Sequence, residues 1–247
     1  MILVFDLDGT LLDTLDDLWA SVNHALAHFS LPLRSKDEVR RFLGNGVQVL
    51  MQKAIGEETA DTHKGGHEGA PAFADVLAVF RSHYLRHSLD RTQPYPGINN
   101  LLRTCKSRGY HTAIVSNKPD AAVQELRQRF FADTIDLAIG EQQPAIRRKP
   151  APDMVHAALS LLRGDEKTRR QEDRNTRRRE DGNKRRREDE PVYYIGDSEV
   201  DIQTARNADI PCIAVSWGFR DRSFLAAQGY AQAIIDTPAQ LLDIISG

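Results

Sequence analysis

From Tyr95 onward, short apolar runs alternate with amphipathic stretches, and this alternation restricts the fold more than any other feature. Thr112–Val115, Leu137–Ile139, Val192–Ile195 and Cys212–Val215 are each too short for a helix and apolar throughout, as strands buried on both faces are. Between them lie helical patterns. One carries Ile98, Leu101, Leu102 and Cys105 and closes on Gly109, which suits a left-handed C-cap. Others run from Ala121 to Phe131, from a capping Asp153 through Met154, Val155, Ala158, Leu159 and Leu162, and from Asp201 to Ala208. Strands alternating with helices imply an α/β, Rossmann-like doubly wound core with a parallel sheet covered on both faces. Ligands of such sheets bind at the carboxyl ends of the strands.

One more strand opens the chain, Ile2-Leu3-Val4-Phe5, and runs into Asp6-Leu7-Asp8-Gly9-Thr10-Leu11. Alternation along an extended chain aims Asp6 and Asp8 the same way and Leu7 into the core. Two carboxylates in a dry pocket at a strand end need a reason to be ionised, and a divalent cation supplies it. Gly9 and Thr10 turn the backbone and expose amides to an anion.

Beyond this turn the chain becomes helical. Leu15, Leu18, Val22, Leu26 and Phe29 describe a helix with Asp13 or Thr14 at its N-cap. A second spans Ser35 to Phe42, a third begins at Gly44-Asn45-Gly46, and a fourth runs from about Ala72 to Ser88. Gly56 to Ala70 reads as loop. With no strand signal between 16 and 91, this segment is expected to be a helical domain inserted into a core made of 1–15 and 92–247.

Composition narrows the class of function. A net charge of −2 argues against general nucleic-acid binding, and no apolar run reaches membrane-spanning length. Cys105 and Cys212 sit in apolar surroundings, as buried thiols rather than a disulfide. With no apolar leader, a cytoplasmic protein is expected. His63 and His67 are four apart, but the neighbouring glycines make a shared helix face unfavourable, and they read as loop residues. Arg163 to Glu190 stands apart, with twelve Lys or Arg, nine Asp or Glu and no aliphatic or aromatic residue. Such a segment cannot bury enough apolar surface to offset its ordering entropy. It reads as an insertion outside the chemistry; the rival is a binding role for it toward nucleic acid or a protein partner, and its near balance of charge disfavours strong binding to a phosphate backbone.

Asp6-Leu7-Asp8-Gly9-Thr10-Leu11 resembles the nucleophile motif of the haloacid-dehalogenase-like hydrolases, and three further motifs succeed it in that family's order. They are Val115-Ser116-Asn117-Lys118, Lys149-Pro150-Ala151-Pro152-Asp153 and Gly196-Asp197-Ser198-Glu199-Val200-Asp201. The resemblance implies Asp6 as nucleophile and Asp8 as acid and base, with carboxylates for neighbours. Ser116 and Asn117 would contact the phosphoryl group, and Lys149, with Arg147 and Arg148 as competing cations, would balance the charge. Mg²⁺ would be held by Asp6, Asp197 and the backbone carbonyl of Asp8, with Asp201 orienting the loop or coordinated water. An acid two residues after the nucleophile points to phosphatase or phosphomutase. Residues 16–91 resemble the family's C1 cap.

Phe42–Val47, Pro94–Gly97 and Val215–Arg220 look like the phosphoglycolate phosphatase branch. There Gly44, Asn45 and Gly46 would present amides to a small substrate carboxylate. A small phosphorylated metabolite is therefore the expected partner. The rival reading is a phosphatase or mutase for another sugar or nucleotide phosphate.

Overall fold

The computed structural model describes residues 1–56, 71–142, 144–164 and 190–246. The expected loop 56–70, with His63 and His67, lies outside the described residues apart from Gly56, and the charged stretch does so apart from Arg163, Gly164 and Glu190.

Strand β1 (Ile2–Phe5) is central. It pairs in parallel with β4 (His111–Pro119) on one side and β6 (Val192–Gly196) on the other. β5 (Leu137–Glu141) extends the β4 side, and β7 (Cys212–Val215) and β8 (Ala233–Ile235) extend the β6 side, giving the parallel order β5-β4-β1-β6-β7-β8. The chain winds outward from β1 in one direction, returns, and winds outward in the other. The switch point is thus at the carboxyl end of β1, where Asp6 emerges.

Alternation on β1 explains the two faces. Leu3 and Phe5 join Leu101, Leu102, Ile114 and Ile195 in one apolar cluster, while Ile2 and Val4 join Val115, Met154, Val155 and Ile202 in the other. Each fully buried side chain of this kind contributes roughly 1.5–3 kcal/mol of transfer free energy. Helices α5 (Ile98–Ser107) and α6 (Asp120–Phe131) cover the first face; α7 (Asp153–Arg163) and α8 (Glu199–Asn207) cover the second. Both cysteines are buried and free.

Between β2 (Leu12–Asp13) and β3 (Gln93–Pro94) the described chain is helical: α1 (Leu15–His28), α2 (Lys36–Phe42), α3 (Gly46–Ile55) and α4 (Phe73–His87). These helices share their own apolar cluster, built on Leu18, Val22, Leu26, Leu50, Met51, Val76 and Phe80. β2 and β3 pair antiparallel, so the chain leaves and re-enters the α/β part side by side.

Two expected helix caps differ in detail. Pro152, not Asp153, occupies the N-cap of α7. Asp153 is the first helical residue, where its charge suits the helix dipole and Arg147 holds it with bonds of 2.8 and 2.9 Å. Thr14 caps α1 without a side-chain bond, and Asp13 Oδ1 instead accepts from the Leu15 N–H at 3.3 Å. Gly109 has the expected left-handed backbone, φ +70°.

Candidate active site

The loop after β1 folds back on itself, with the amides of Leu11 and Leu12 donating to the Leu7 carbonyl. Leu7 is fully buried, as alternation requires, and Asp6 and Asp8 both line one cleft. That cleft, about 800 Å³, lies between strand ends and helices. Asp6, Asp8, Ser116, Lys149 and Asp197 form its floor; Leu18, Gly44, Gly46, Phe80 and Tyr84 bound it from the helical side.

Asp6 is buried against Lys149, whose Nζ donates to Asp6 Oδ1 at 2.6 Å and to Asp201 Oδ1 at 2.7 Å. Lys149 leaves β5 by way of a loop ending in a cis Lys149–Pro150 bond, and the Asn117 side chain clamps it. Asn117 Oδ1 accepts from the Lys149 N–H at 2.8 Å, and Nδ2 donates to the Lys149 carbonyl at 3.1 Å and the Gly44 carbonyl at 3.4 Å. Both ends of the Asn117 side-chain amide are thus held by backbone groups, while the residue itself lines the cleft. Ser116 stays at the cleft, its Oγ accepting from the Lys118 N–H at 3.2 Å.

Asp197 follows β6 and sits where Gly9 and Gly218 leave room. A Cβ on either glycine would lie 2.4 Å from the Asp197 side chain, so no larger residue fits. Its Oδ2 accepts from the Phe219 N–H at 2.6 Å and Oδ1 from the Thr10 hydroxyl at 3.3 Å. Asp201, fully buried on the first turn of α8, accepts from Tyr194 Oη at 3.1 Å and from both the N–H and the hydroxyl of Ser198. It orients Lys149 and the Ser198 loop.

The electrostatics are one-sided. Asp6, Asp197 and Asp201 bring carboxylate oxygens within 4.8 Å of one another, against the single ammonium of Lys149. Burial first, then Asp201, pushes the Asp6 carboxyl up to about 7, with Lys149 opposing. Burial, Asp201 and Asp6 hold Asp197 well above the usual carboxylate range. For Lys149, burial works against its charge, but Asp201 and Asp6 hold it charged well beyond an ordinary lysine. Uncompensated hard oxygen donors in a dry site suit a divalent cation such as Mg²⁺.

Two expectations are corrected here. The Asp8 carboxylate lies outside the oxygen cluster: it is near enough to Asp6 to raise that carboxyl, but its direct partner is Lys118, whose Nζ donates to its Oδ1 at 2.8 Å. Asn45 is half-buried at the N-cap of α3 and does not line the cleft, whereas Gly44 and Gly46 do.

Sequence reasoning also passed over several residues. Lys118 lies in the Ser116–Lys118 run but had no role; it bridges Asp8 and Tyr84 Oη, the latter at 2.6 Å. Tyr194 reads as strand filler, and Thr10 as a turn residue. Among Arg147, Arg148 and Lys149, reach decides which cation serves Asp6. Arg147 points out to Asp153, and Arg148 comes no closer than 4.0 Å to Glu141.

The profile of the haloacid dehalogenase-like hydrolases matches residues 3–215. A phosphoglycolate phosphatase of Mesorhizobium japonicum is 31% identical over 221 residues, covering 90% of this chain and 85% of its own. One from Pasteurella multocida is 30% identical, covering 98% and 96%. The crystal structure of a Lactobacillus delbrueckii subsp. bulgaricus protein, provisionally named phosphoglycolate phosphatase, superposes with a TM-score of 0.78 at 34% identity, covering 99% of this chain and 97% of that one.

The chain belongs to the haloacid dehalogenase-like hydrolases. Within them it is a phosphatase, similar to the phosphoglycolate phosphatases.

Proposed function

We propose that the chain is a Mg²⁺-dependent phosphomonoesterase that hydrolyses 2-phosphoglycolate to glycolate and phosphate. Residues 16–91 act as its cap over a core of 1–15 and 92–247. The observation that carries this reading is the buried Asp6 at the floor of the cleft, bonded to Lys149 at 2.6 Å and flanked by Asp197 and Asp201. The relatives' names supply the substrate.

Mg²⁺ held by Asp6, Asp197 and the Asp8 carbonyl would neutralise charge on the phosphoryl oxygens. A carboxylate oxygen of Asp6 attacks phosphorus, the P–O bond to glycolate breaks, and an aspartyl phosphate forms on Asp6. Asp8 gives a proton to the departing glycolate oxygen, then takes one from the water that attacks the aspartyl phosphate. Lys149 and Ser116 spread the negative charge of the phosphoryl group. Lys118 keeps the Asp8 carboxylate turned to the cleft. Gly44 and Gly46 let backbone and substrate carboxylate approach. The partner is a small phosphorylated metabolite rather than nucleic acid, and the setting is cytoplasmic. No described helix is long and apolar enough to cross a membrane.

The test is a panel of small phosphoesters assayed with Mg²⁺ and with chelator. 2-Phosphoglycolate should show the highest kcat/KM, and chelator should abolish turnover. Asp6→Asn should lower kcat by about 10⁴-fold or more with the circular dichroism spectrum unchanged. Near-normal turnover by Asp6→Asn would sink the covalent route. Preference for sugar phosphates would sink the substrate assignment but spare the phosphatase.

A further inference from the structure

Among the described residues, four cationic side chains line the cleft: Arg81, Lys118, Arg148 and Lys149. Two are committed. Lys149 serves Asp6 and Asp201, and Lys118 serves Asp8 and Tyr84. Arg81 is exposed on α4 at the mouth. Arg148 differs from all three. Its side chain is two-thirds buried, with 33% exposure, yet the nearest acid among the described residues is Glu141 at 4.0 Å, beyond hydrogen-bonding distance.

Its position is equally particular. Arg148 immediately precedes Lys149, so the chain carries it into the cleft whose floor holds Asp6. Its Nη1 lies where a Cβ on Gly46 would come within 3.3 Å, so the guanidinium stands directly against the turn that opens α3. A planar fork in that place, with its donors unspent among the described residues, matches a carboxylate in two-point geometry; an ammonium would not.

We propose that Arg148 is the anchor for the substrate's carboxylate, and so the residue that selects small phosphomonoesters of hydroxy acids over neutral ones. This rests on the reading of the cleft as a 2-phosphoglycolate site and names the charge that reading lacked. Lys149 faces the reacting end of the substrate, and Arg148 faces the other end.

The experiment uses the full chain with Mg²⁺ and two substrates of equal length, 2-phosphoglycolate and 2-hydroxyethyl phosphate. The quantity read is the ratio of their kcat/KM values. Arg148→Gln should lower that ratio about 10- to 100-fold, through KM for 2-phosphoglycolate, as loss of a charge-assisted two-point contact predicts. Arg148→Lys, which keeps the charge and loses the fork, should fall between. Arg81→Gln should leave the ratio at the wild-type value. Melting curves of the variants report folding, and the ratio cancels a general loss of active protein.

A ratio unaltered by Arg148→Gln, or a loss that appears with Arg81→Gln instead, overturns the anchor while the phosphoglycolate reading stands. A wild-type enzyme with no preference between the two substrates overturns that reading and the anchor together.

Discussion

At Asp8 the charged group in direct contact is Lys118, and this ammonium holds the carboxylate that we propose as acid and base. Lys118 is 8% exposed, its Nζ shared between Asp8 Oδ1 and Tyr84 Oη. Burial opposes its charge, but Asp8 and Tyr84 hold its proton more firmly than in an ordinary lysine. Lys118→Met keeps most of the volume and removes both bonds, freeing Asp8 to turn from the cleft. We expect kcat to fall about 10²-fold, the usual scale for a misplaced reacting group, with a smaller change in KM. Tyr84→Phe removes only the outer bond and should cost far less. Steady-state kinetics on one substrate checks both, and an equal loss in the two variants would count against Lys118 acting on Asp8. Lys118 was visible in the sequence, but a lysine after Ser-Asn reads as a solvated turn unless one knows that Asp8 and α4 converge on it. Asp6 and Asp197 were legible because each follows an apolar strand directly.

Among the elements, the join between the helical segment and the core depends on one buried acid. Asp17, 3% exposed on α1, accepts from the Arg91 N–H at 3.1 Å, the Thr92 N–H at 2.9 Å and the Thr92 hydroxyl at 2.8 Å. It thereby fastens the re-entering chain next to β2 and β3. Asp17→Ala leaves these donors unsatisfied in a dry place, which should cost about 1–3 kcal/mol, read as a lower denaturant midpoint. Helices α1 and α4 share a stack of imidazoles. His83 lies 4.0 Å from His24 and 4.3 Å from His87 between ring centroids, and bonds Ser21 Oγ at 3.0 Å. Burial, then His24, His87 and Arg86, lowers its affinity for a proton below the usual 6.5, with Asp90 opposing. The unfolded chain therefore binds a proton that the folded one resists. The stability His83 contributes is whole above 6.5 and is lost as pH falls through it, down to the folded value. His83→Gln should flatten the decline of the melting temperature between about pH 7.5 and 5.5, the window around the ordinary imidazole value; a decline unaltered by the substitution would place its cause elsewhere. The helices here were legible because apolar residues recur every three or four positions. β8, α9 (Arg222–Ala227) and α10 (Ala239–Ile245) were not, since Ala233–Ile235 is three residues long and the helices near it span six and seven.

Taken whole, the molecule joins a helical segment to a sheet, and residues of both line the cleft. Arg220, on the loop after β7, makes much of that meeting. Buried to 8% exposure, it donates to the Leu43 carbonyl at 2.8 Å and the Arg40 carbonyl at 3.1 Å while Glu199 holds its Nε at 2.8 Å. Phe219 beside it packs into the apolar cluster of the helical segment, and its own N–H holds Asp197. One short loop thus ties the end of α2, the turn before α3 and the acid at the end of β6. Val215–Arg220 stood out in the sequence by its resemblance, but a loop arginine shows neither its partner nor its burial there. Arg220→Leu would leave two carbonyls and Glu199 without their donor and loosen the turn bearing Gly44 and Gly46. The expected result differs from that of Arg148. Because the whole turn between α2 and α3 shifts, kcat/KM should fall about 10²-fold for 2-phosphoglycolate and for 2-hydroxyethyl phosphate alike. Limited proteolysis should also cut faster between α1 and α4. A loss confined to the acidic substrate would instead mean that Arg220 acts on the carboxylate, and that the loop is part of the substrate pocket rather than a tie between the segment and the sheet.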